Sequence, residues 1–323
     1  MVTYTYQKER LVASKYRSGP CYNAAAYDSI LMPKPGANAE LTLTLKIKFT
    51  PLDPDVHGSD IKDGSGDNYA IRKWDSNELF RFKREALRQA NAAWNRQLCL
   101  IPPHDFDIFD YPIGAVPYRP NVKCVLNCIE SPSFHAEVKL AHLKYDYDVP
   151  IPIISVFMSK RNNGSFRSNS LLWDNFDTGV RFDSVEQPNS EDIEHWTVPH
   201  EVGHLLGLQH IGGVQRLRSC VEARKTSKSE PSQCYADAKD APMWMARDIM
   251  GVGKVVHACN AGPWLEVIEY HTGCDADRWL PAGVEIPPRK VADIPATDFT
   301  QANSPYQGGY QDVGSFKKTR GVW

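Results

Sequence analysis

The chain lacks any apolar run near the roughly 18 residues that a bilayer-spanning helix needs, and its first thirty residues hold no apolar leader core. Neither a membrane span nor a Sec-type export signal is therefore expected. It also lacks an excess of charge of either sign. Thirty-seven Lys and Arg face 39 Asp and Glu, a formal net charge of −2, so no global field draws it to nucleic acid or anionic lipid. No repeat of fixed period is visible. What remains is ordinary globular material: 323 residues, 42% of them hydrophobic, enough for a real core in one large or two modest domains. Eight cysteines, an even count, fit disulfides in an oxidising compartment. That stands against the missing leader. The chain reads as a mature form, as one exported by another route, or as one whose thiols stay reduced.

Leu41, Leu43, Leu45, Ile47 and Phe49 alternate with Thr42, Thr44, Lys46 and Lys48, the period-two pattern of a strand with one buried face. Asp75 with Glu78 reads as the cap of a helix whose Leu79, Phe82, Ala86, Ala90 and Trp94 recur at helical spacing and should lie on the sheet. The stretches 122–130 and 134–143 alternate again around Ser131-Pro132-Ser133, which predicts two adjacent strands joined by a short turn. A further strand is expected at 151–158. Cys124 and Cys128 would share a strand face about 13 Å apart and should not bond each other. The loop 159–170 holds Asn163-Gly164-Ser165, a glycosylation acceptor only in a eukaryotic secretory pathway. Asp63 to Asn68 lacks the terminal Glu of a calcium loop and reads as a polar turn. From Pro281 onward proline and glycine accumulate, predicting an extension over 281–323 that wraps the surface.

The chemistry concentrates in HEVGHLLGLQH, which places His200, Glu201, His204, Gly207 and His210 at fixed offsets. On a helix His200 and His204 project from one face, as a shared metal ion requires. Gly207 can take positive φ and turn the chain so that His210 returns as a third nitrogen ligand. A fourth position stays open for water. From the chain's own composition, a chance match is on the order of 10⁻⁴. Pro199 precedes the first ligand, so the helix begins or kinks there, with Thr197 or Ser190 as its N-cap.

These residues resemble the signature of the metzincin clan of zinc metallopeptidases, HExxHxxGxxH followed by a methionine-containing turn beneath the metal. Asp248-Ile249-Met250-Gly251 lies 40 residues past His210 (250 − 210) and looks like that turn, with Met250 under the imidazoles. Met243 and Met245 sit in a Trp-containing run that reads as packing. Ile211 and Val252 stand where some metzincins carry an acid or a tyrosine, so a tyrosine ligand at the second of these is not expected. The segment from His210 to Met250 somewhat resembles the pappalysin arrangement. The resemblance covers roughly residues 40–275. It implies an α+β fold, a metzincin-like two-subdomain catalytic domain over 1–280. The resemblance further implies a twisted mixed sheet with helices and zinc at the base of the cleft. The N-terminal subdomain would run to about 210 and the C-terminal one over about 211–280, ending in a helix over 261–272. An edge strand near 179–182 would bind extended substrate, and residues 250–256 would line the specificity pocket. Cysteines flanking the Met-turn, Cys220 with Cys234 and Cys259 with Cys274, are expected to staple the C-terminal half.

The implied cofactor is Zn²⁺ and the implied general base Glu201. The implied activity is endopeptidase action on a protein or peptide substrate, outside the cytoplasm or as a secreted or injected effector. Two other readings keep the motif. One is a zinc-stabilised binding module without catalysis; the other is a zinc amidase acting on cell-wall peptides. His195 and His257 are read as surface residues or neighbours of the ligands. His57, His104, His135, His142 and His271 have no metal spacing, and Cys21 reads as disulfide-bonded or buried rather than as a zinc-blocking thiol.

Overall fold

A computed structural model describes residues 9–13, 26–95, 98–144, 166–184, 192–227, 231–236, 239–283 and 285–298. The expected strand at 151–158, Asn163, Cys21, Ser190 and residues 299–323 lie outside the described residues.

The chain enters through an antiparallel meander of β1 (Glu9–Ala13), β2 (Ala26–Met32) and β3 (Ala39–Pro51). β3 is the strand foreseen from alternation. Leu41, Leu43, Leu45 and Ile47 are fully buried while Thr42, Thr44 and Lys46 between them are half-buried. After the single turn α1 (Pro54–His57) comes the hairpin of β4 (Asp60–Lys62) and β5 (Asn68–Ala70). At its tip Asp63 accepts the amides of Ser65 and Asp67 on one oxygen and that of Arg167 on the other. The carboxylate is thus a turn staple, as its sequence predicts. α2 (Ser76–Trp94) starts where Asp75 accepts the amides of Asn77 and Glu78. It buries Phe82, Ala86, Ala90 and Trp94.

Next come β6 (Cys99–Ile101), β7 (Tyr111–Ile113), β8 (Val116–Arg119), β9 (Val122–Glu130), β10 (Ala136–Ala141) and β11 (Leu172–Asp174). The main sheet runs β1-β2-β3-β9-β6, with β10 also on β3 and β11 on β10. β9, β10 and β11 are joined in parallel pairings, the rest antiparallel. The sheet is mixed and the fold α+β.

One expectation is corrected here: β9 and β10 are not neighbours. Ser131 donates its amide to Ile47 O and His135 donates to Lys46 O. Consecutive residues of a strand aim their carbonyls at opposite edges, so the chain crosses from one side of β3 to the other between these bonds. Pro132 has no amide to extend the first ladder, and the chain leaves the edge there.

The second half begins with the hairpin of β12 (Arg181–Ser184) and β13 (Asp192–His195). It continues through α3 (Thr197–Leu205), α4 (Ile211–Val214), α5 (Arg218–Arg224), α6 (Met243–Ala246) and α7 (Gly262–Thr272). α7 fills the expected last helix, with Gly273 as its left-handed C-cap. Its Trp264 lies 6.2 Å from Trp94 between ring centroids, and the Trp94 indole donates to Pro199 O at 3.0 Å. That pair of rings therefore fastens α3 and α7 to α2. β14 (Leu280–Ala282) then pairs with β6 in the main sheet, and β15 (Arg289–Lys290) with β8. Ile286 is buried between them, its carbonyl accepting from the Asn38 and Asn121 amides. Among the described residues no helix is long and apolar enough to cross a membrane.

Cys220 and Cys234 form a disulfide. Cys259 and Cys274 do not, which corrects the second expected staple; both are free and buried. They stand at opposite ends of the 11-residue α7, which at 1.5 Å per residue holds them about 16 Å apart. A disulfide tolerates Cα separations of only about 4.4–6.8 Å. Cys99, Cys124 and Cys128 are also free and buried, and burial pushes the thiols of Cys99 and Cys128 up to about 12. Peptide mapping of the denatured chain should therefore show these five cysteines alkylated without reductant, and Cys220 and Cys234 only after it. A cross-linked Cys259–Cys274 peptide would contradict the structure.

Candidate metal centre

α3 begins at Thr197, after Trp196 in extended conformation. Thr197 is thus a buried first helical residue and not the cap, which corrects the sequence reading. Pro199 falls in the first turn, where an amide would have no intrahelical partner. The helix is accordingly short and starts cleanly, with His200 N donating to Trp196 O at 3.2 Å. It ends at Leu205. Gly207 takes φ +89°, a conformation open to glycine, and donates to His204 O at 2.9 Å. The chain folds back and delivers His210.

The three imidazoles converge. Nε2 of His210 lies 3.3 Å from Nε2 of His200 and 3.0 Å from Nε2 of His204. A tetrahedral ion with nitrogen ligands at about 2.0–2.1 Å separates those nitrogens by roughly 3.4 Å, so the spacing fits one cation. The opposite ring nitrogens are committed: Nδ1 of His200 to Ile249 O and Nδ1 of His204 to Leu208 O, both at 2.7 Å. A carbonyl only accepts, so each Nδ1 carries the proton and each Nε2 keeps its lone pair for a metal. All three rings are buried, as is Glu201 beside the first. Burial chiefly, then the neighbouring imidazoles, holds His200 well below the usual histidine range. Burial likewise lowers His210, with His204 and the Arg224 guanidinium adding to it. Neutral imidazole is the metal-binding form. Together these observations describe a buried three-histidine cluster that can hold a metal ion.

Met250 packs against α3 beside it. The residue is 1% exposed, and a Cβ built on Gly203 would overlap its sulfur and stand 3.0 Å from the Trp94 ring. Gly203, between the two helical ligands, is thus the gap that lets the methionine close on α3. Ile211 N donates to Met250 O at 2.9 Å, joining the turn to the residue after the third ligand. Asp248, fully buried, organises the turn. Its Oδ1 accepts the amide of Met250 at 2.7 Å and the Asn260 side chain at 3.3 Å, and its Oδ2 pairs with His257 Nδ1 at 2.7 Å. Met243 and Met245 belong to α6, where Met245 packs in the core.

Other predicted residues fall around the cluster. His195, at the end of β13, has its ring 5.4 Å from that of His200. β12 overlaps the expected edge strand only at 181–182 and pairs with β13, not with the main sheet. His104, read as having no metal spacing, does meet Asp105 and Asp298. However, Arg278 already bridges both carboxylates, which makes that group an ion-pair network. Three contributors were not read from sequence. Gly203 had a signal, its place between ligands one helical turn apart. Trp94 and Tyr235 had none, since they reach the site through tertiary packing. Tyr235 lies with its ring 3.6 Å from that of His210.

Replacing Gly203 with Ala should cost about 1–3 kcal/mol by overpacking, read as a lower denaturation midpoint. An unchanged midpoint would rule out the close Met250 contact. The histidine shifts set a pH dependence. His200 and His210 are lowered, as are His135 and His142, each chiefly by burial. Below the unfolded-state value of 6.5 the unfolded chain therefore takes up protons that the native chain refuses. Stability is full above that pH and falls beneath it. The metal-free protein's Tm should decline steadily from pH 7 towards pH 5; a flat profile there would contradict the burial of these rings.

No family model matches this chain, and neither the curated proteins nor the solved structures contain a match. What the cluster does has to be read from its own geometry.

Proposed function

We propose that this chain is a zinc-dependent endopeptidase of the metzincin type. The observation that carries the reading is the triad itself, with two Nδ1 atoms committed to carbonyls and the Nε2 atoms at tetrahedral spacing. His200, His204 and His210 would hold the metal, and three neutral nitrogens suit Zn²⁺. When bound, zinc supplies Lewis acidity, lowering the pKa of a water in its open position towards 7 and polarising a peptide carbonyl. Glu201 supplies the proton chemistry. It follows His200 on α3 and is buried, and as the base it accepts a proton from the attacking water and returns it to the leaving amine. Met250 bears no proton and binds no metal; it is an apolar floor that limits movement of the rings.

The two-subdomain architecture belongs to this reading. The sheet and α2, up to about residue 210, would form the upper part of a cleft, and the segment with the Met-turn and α7 the lower. The hairpin of β12 and β13 runs directly into α3, and an extended peptide could pair along it. Action outside the cytoplasm is supported by the Cys220–Cys234 disulfide.

Replacing Glu201 with Gln should leave metal content unchanged and slow cleavage of an unfolded protein substrate about 10²- to 10⁴-fold. Replacing His204 with Ala should remove the metal as well, read by elemental analysis. Undiminished cleavage by the Glu201→Gln variant would discard the mechanism. Stoichiometric zinc with no hydrolysis of any peptide would favour a binding module.

A further inference from the structure

The segment between His210 and the Met-turn contains the chain's described disulfide, and the residue after that disulfide is the one that covers the third histidine. Cys234 bonds Cys220 of α5. Tyr235 follows it directly, with its ring 3.6 Å from that of His210 at 35° and 5.8 Å from that of His200 at 10°. The tyrosine thus lies against two of the three imidazoles.

The backbone around it is confined on both sides. Cβ atoms placed on Gly212 and Gly251 would stand 2.7 Å from Cys234 O and 3.1 Å from Tyr235 O. The Cys234–Tyr235 peptide is therefore seated between the residues just past the third ligand and the turn that carries Met250. Ala236, next in line, has φ +64°, a conformation unfavourable for a residue with a side chain. Surrounding contacts must impose it, and the cross-link at Cys234 lies two residues before it. α4 and α5 are 4 and 7 residues long, too short to hold such a geometry by helix formation alone.

We propose that Tyr235 is a positioning residue of the metal centre: packed against His210 and tethered by the Cys220–Cys234 disulfide, it couples the oxidation state of that disulfide to retention of the metal. The inference rests on the metal-binding part of the function proposed above and not on peptidase activity. In chemical terms a dithiol reductant donates two electrons and two protons, the S–S bond opens to two protein thiols, and the reductant leaves as its own disulfide. Tyr235 then loses its tether, and His210 loses the ring that fixes its face. Partners that orient ligating side chains are worth about 10- to 100-fold in metal affinity. The oxidised chain is the form that holds its metal, and a reducing environment releases it.

The experiment uses the full-length chain loaded with zinc or cobalt. It follows the rate of zinc transfer to a chelating dye and the visible spectrum of the cobalt form. The wild type should be compared before and after reduction by a phosphine, which does not compete for zinc as a dithiol would, and with Tyr235→Ala, Tyr235→Phe and the double variant Cys220→Ser/Cys234→Ser. Reduction, Tyr235→Ala and the double serine variant should each speed zinc release about 10- to 100-fold and alter the cobalt spectrum. Tyr235→Phe keeps the ring and should stay within about two-fold of wild type. Reduction of Tyr235→Ala should add little, because both changes remove the same contact. Unchanged release after reduction of the wild type overturns the coupling. Fully additive effects overturn Tyr235 as its carrier. A wild type that binds no zinc at all removes the metal reading itself, which the other two outcomes leave standing.

Discussion

His200 and His204 each spend Nδ1 on a main-chain carbonyl, and those two bonds decide where the remaining lone pairs point. An imidazole free to rotate or change tautomer offers a metal either nitrogen in several directions. One that donates to Ile249 O or Leu208 O at 2.7 Å offers a single nitrogen in a single direction. The carbonyls come from different places. Leu208 belongs to the turn that Gly207 makes possible, so the second ligand is oriented by the same reversal that returns His210. Ile249 belongs to the turn of Met250, so the first ligand is oriented by a segment 49 residues further along the chain. Folding of that segment onto α3 is therefore a condition for the cluster, and the cluster in turn gives the two a common point.

The scaffold that meets this condition is built outward from α2. Trp94 ends that helix fully buried, and it touches three things at once: Pro199 O by its indole N–H, Trp264 of α7 by its face, and the open side of Gly203 by its edge. Beneath α2 the sheet supplies an apolar floor in Leu41, Leu43, Leu45 and Ile47. α3 is only nine residues long, short of what an isolated helix needs in water. Its geometry must come from being held, by indole above, by methionine below and by the proline that presets its first turn. Every one of its residues is buried. That agrees with a helix whose purpose is placement and not exposure.

The legible parts of the sequence are those whose cause is local. Alternation marks β3, the Asp75 cap and the spacing of Phe82, Ala86, Ala90 and Trp94 mark α2, and Gly207 marks the end of α3, because each pattern is satisfied within one element. The parts that misled depend on partners far along the chain. β9 and β10 are separated by five residues yet lie on opposite sides of β3, because an alternating pattern reveals which face is buried and nothing about which edge is joined. Thr197 has a capping side chain but is drawn into the core, and Trp196 takes the cap position without a side-chain bond. Cys259 and Cys274 look like a pair by parity and proximity in sequence, and the rigid length of α7 forbids it. Tyr235 carries no sequence signal at all; it meets His210 through tertiary packing, one residue past the Cys220–Cys234 bond.

The cysteines divide according to what surrounds them. Cys124 and Cys128 face the core from β9, where register against Leu41 and Leu45 already fixes them. Burial raises their thiols far above the range in which thiolate attacks, so they can stay reduced in an oxidising compartment. The stretch between His210 and Gly262 is different. Its helices of four and seven residues bury little apolar surface each, and no ladder of the main sheet passes through it. Closing a loop there with a sequence separation of 14 contributes about 3 kcal/mol in the chain-entropy model. That is comparable to the full burial of one large apolar side chain. A cross-link thus stands in a stretch of short helices where His210 and Met250 must both be placed, so the covalent bond supports a segment whose geometric demand its helices alone do not meet.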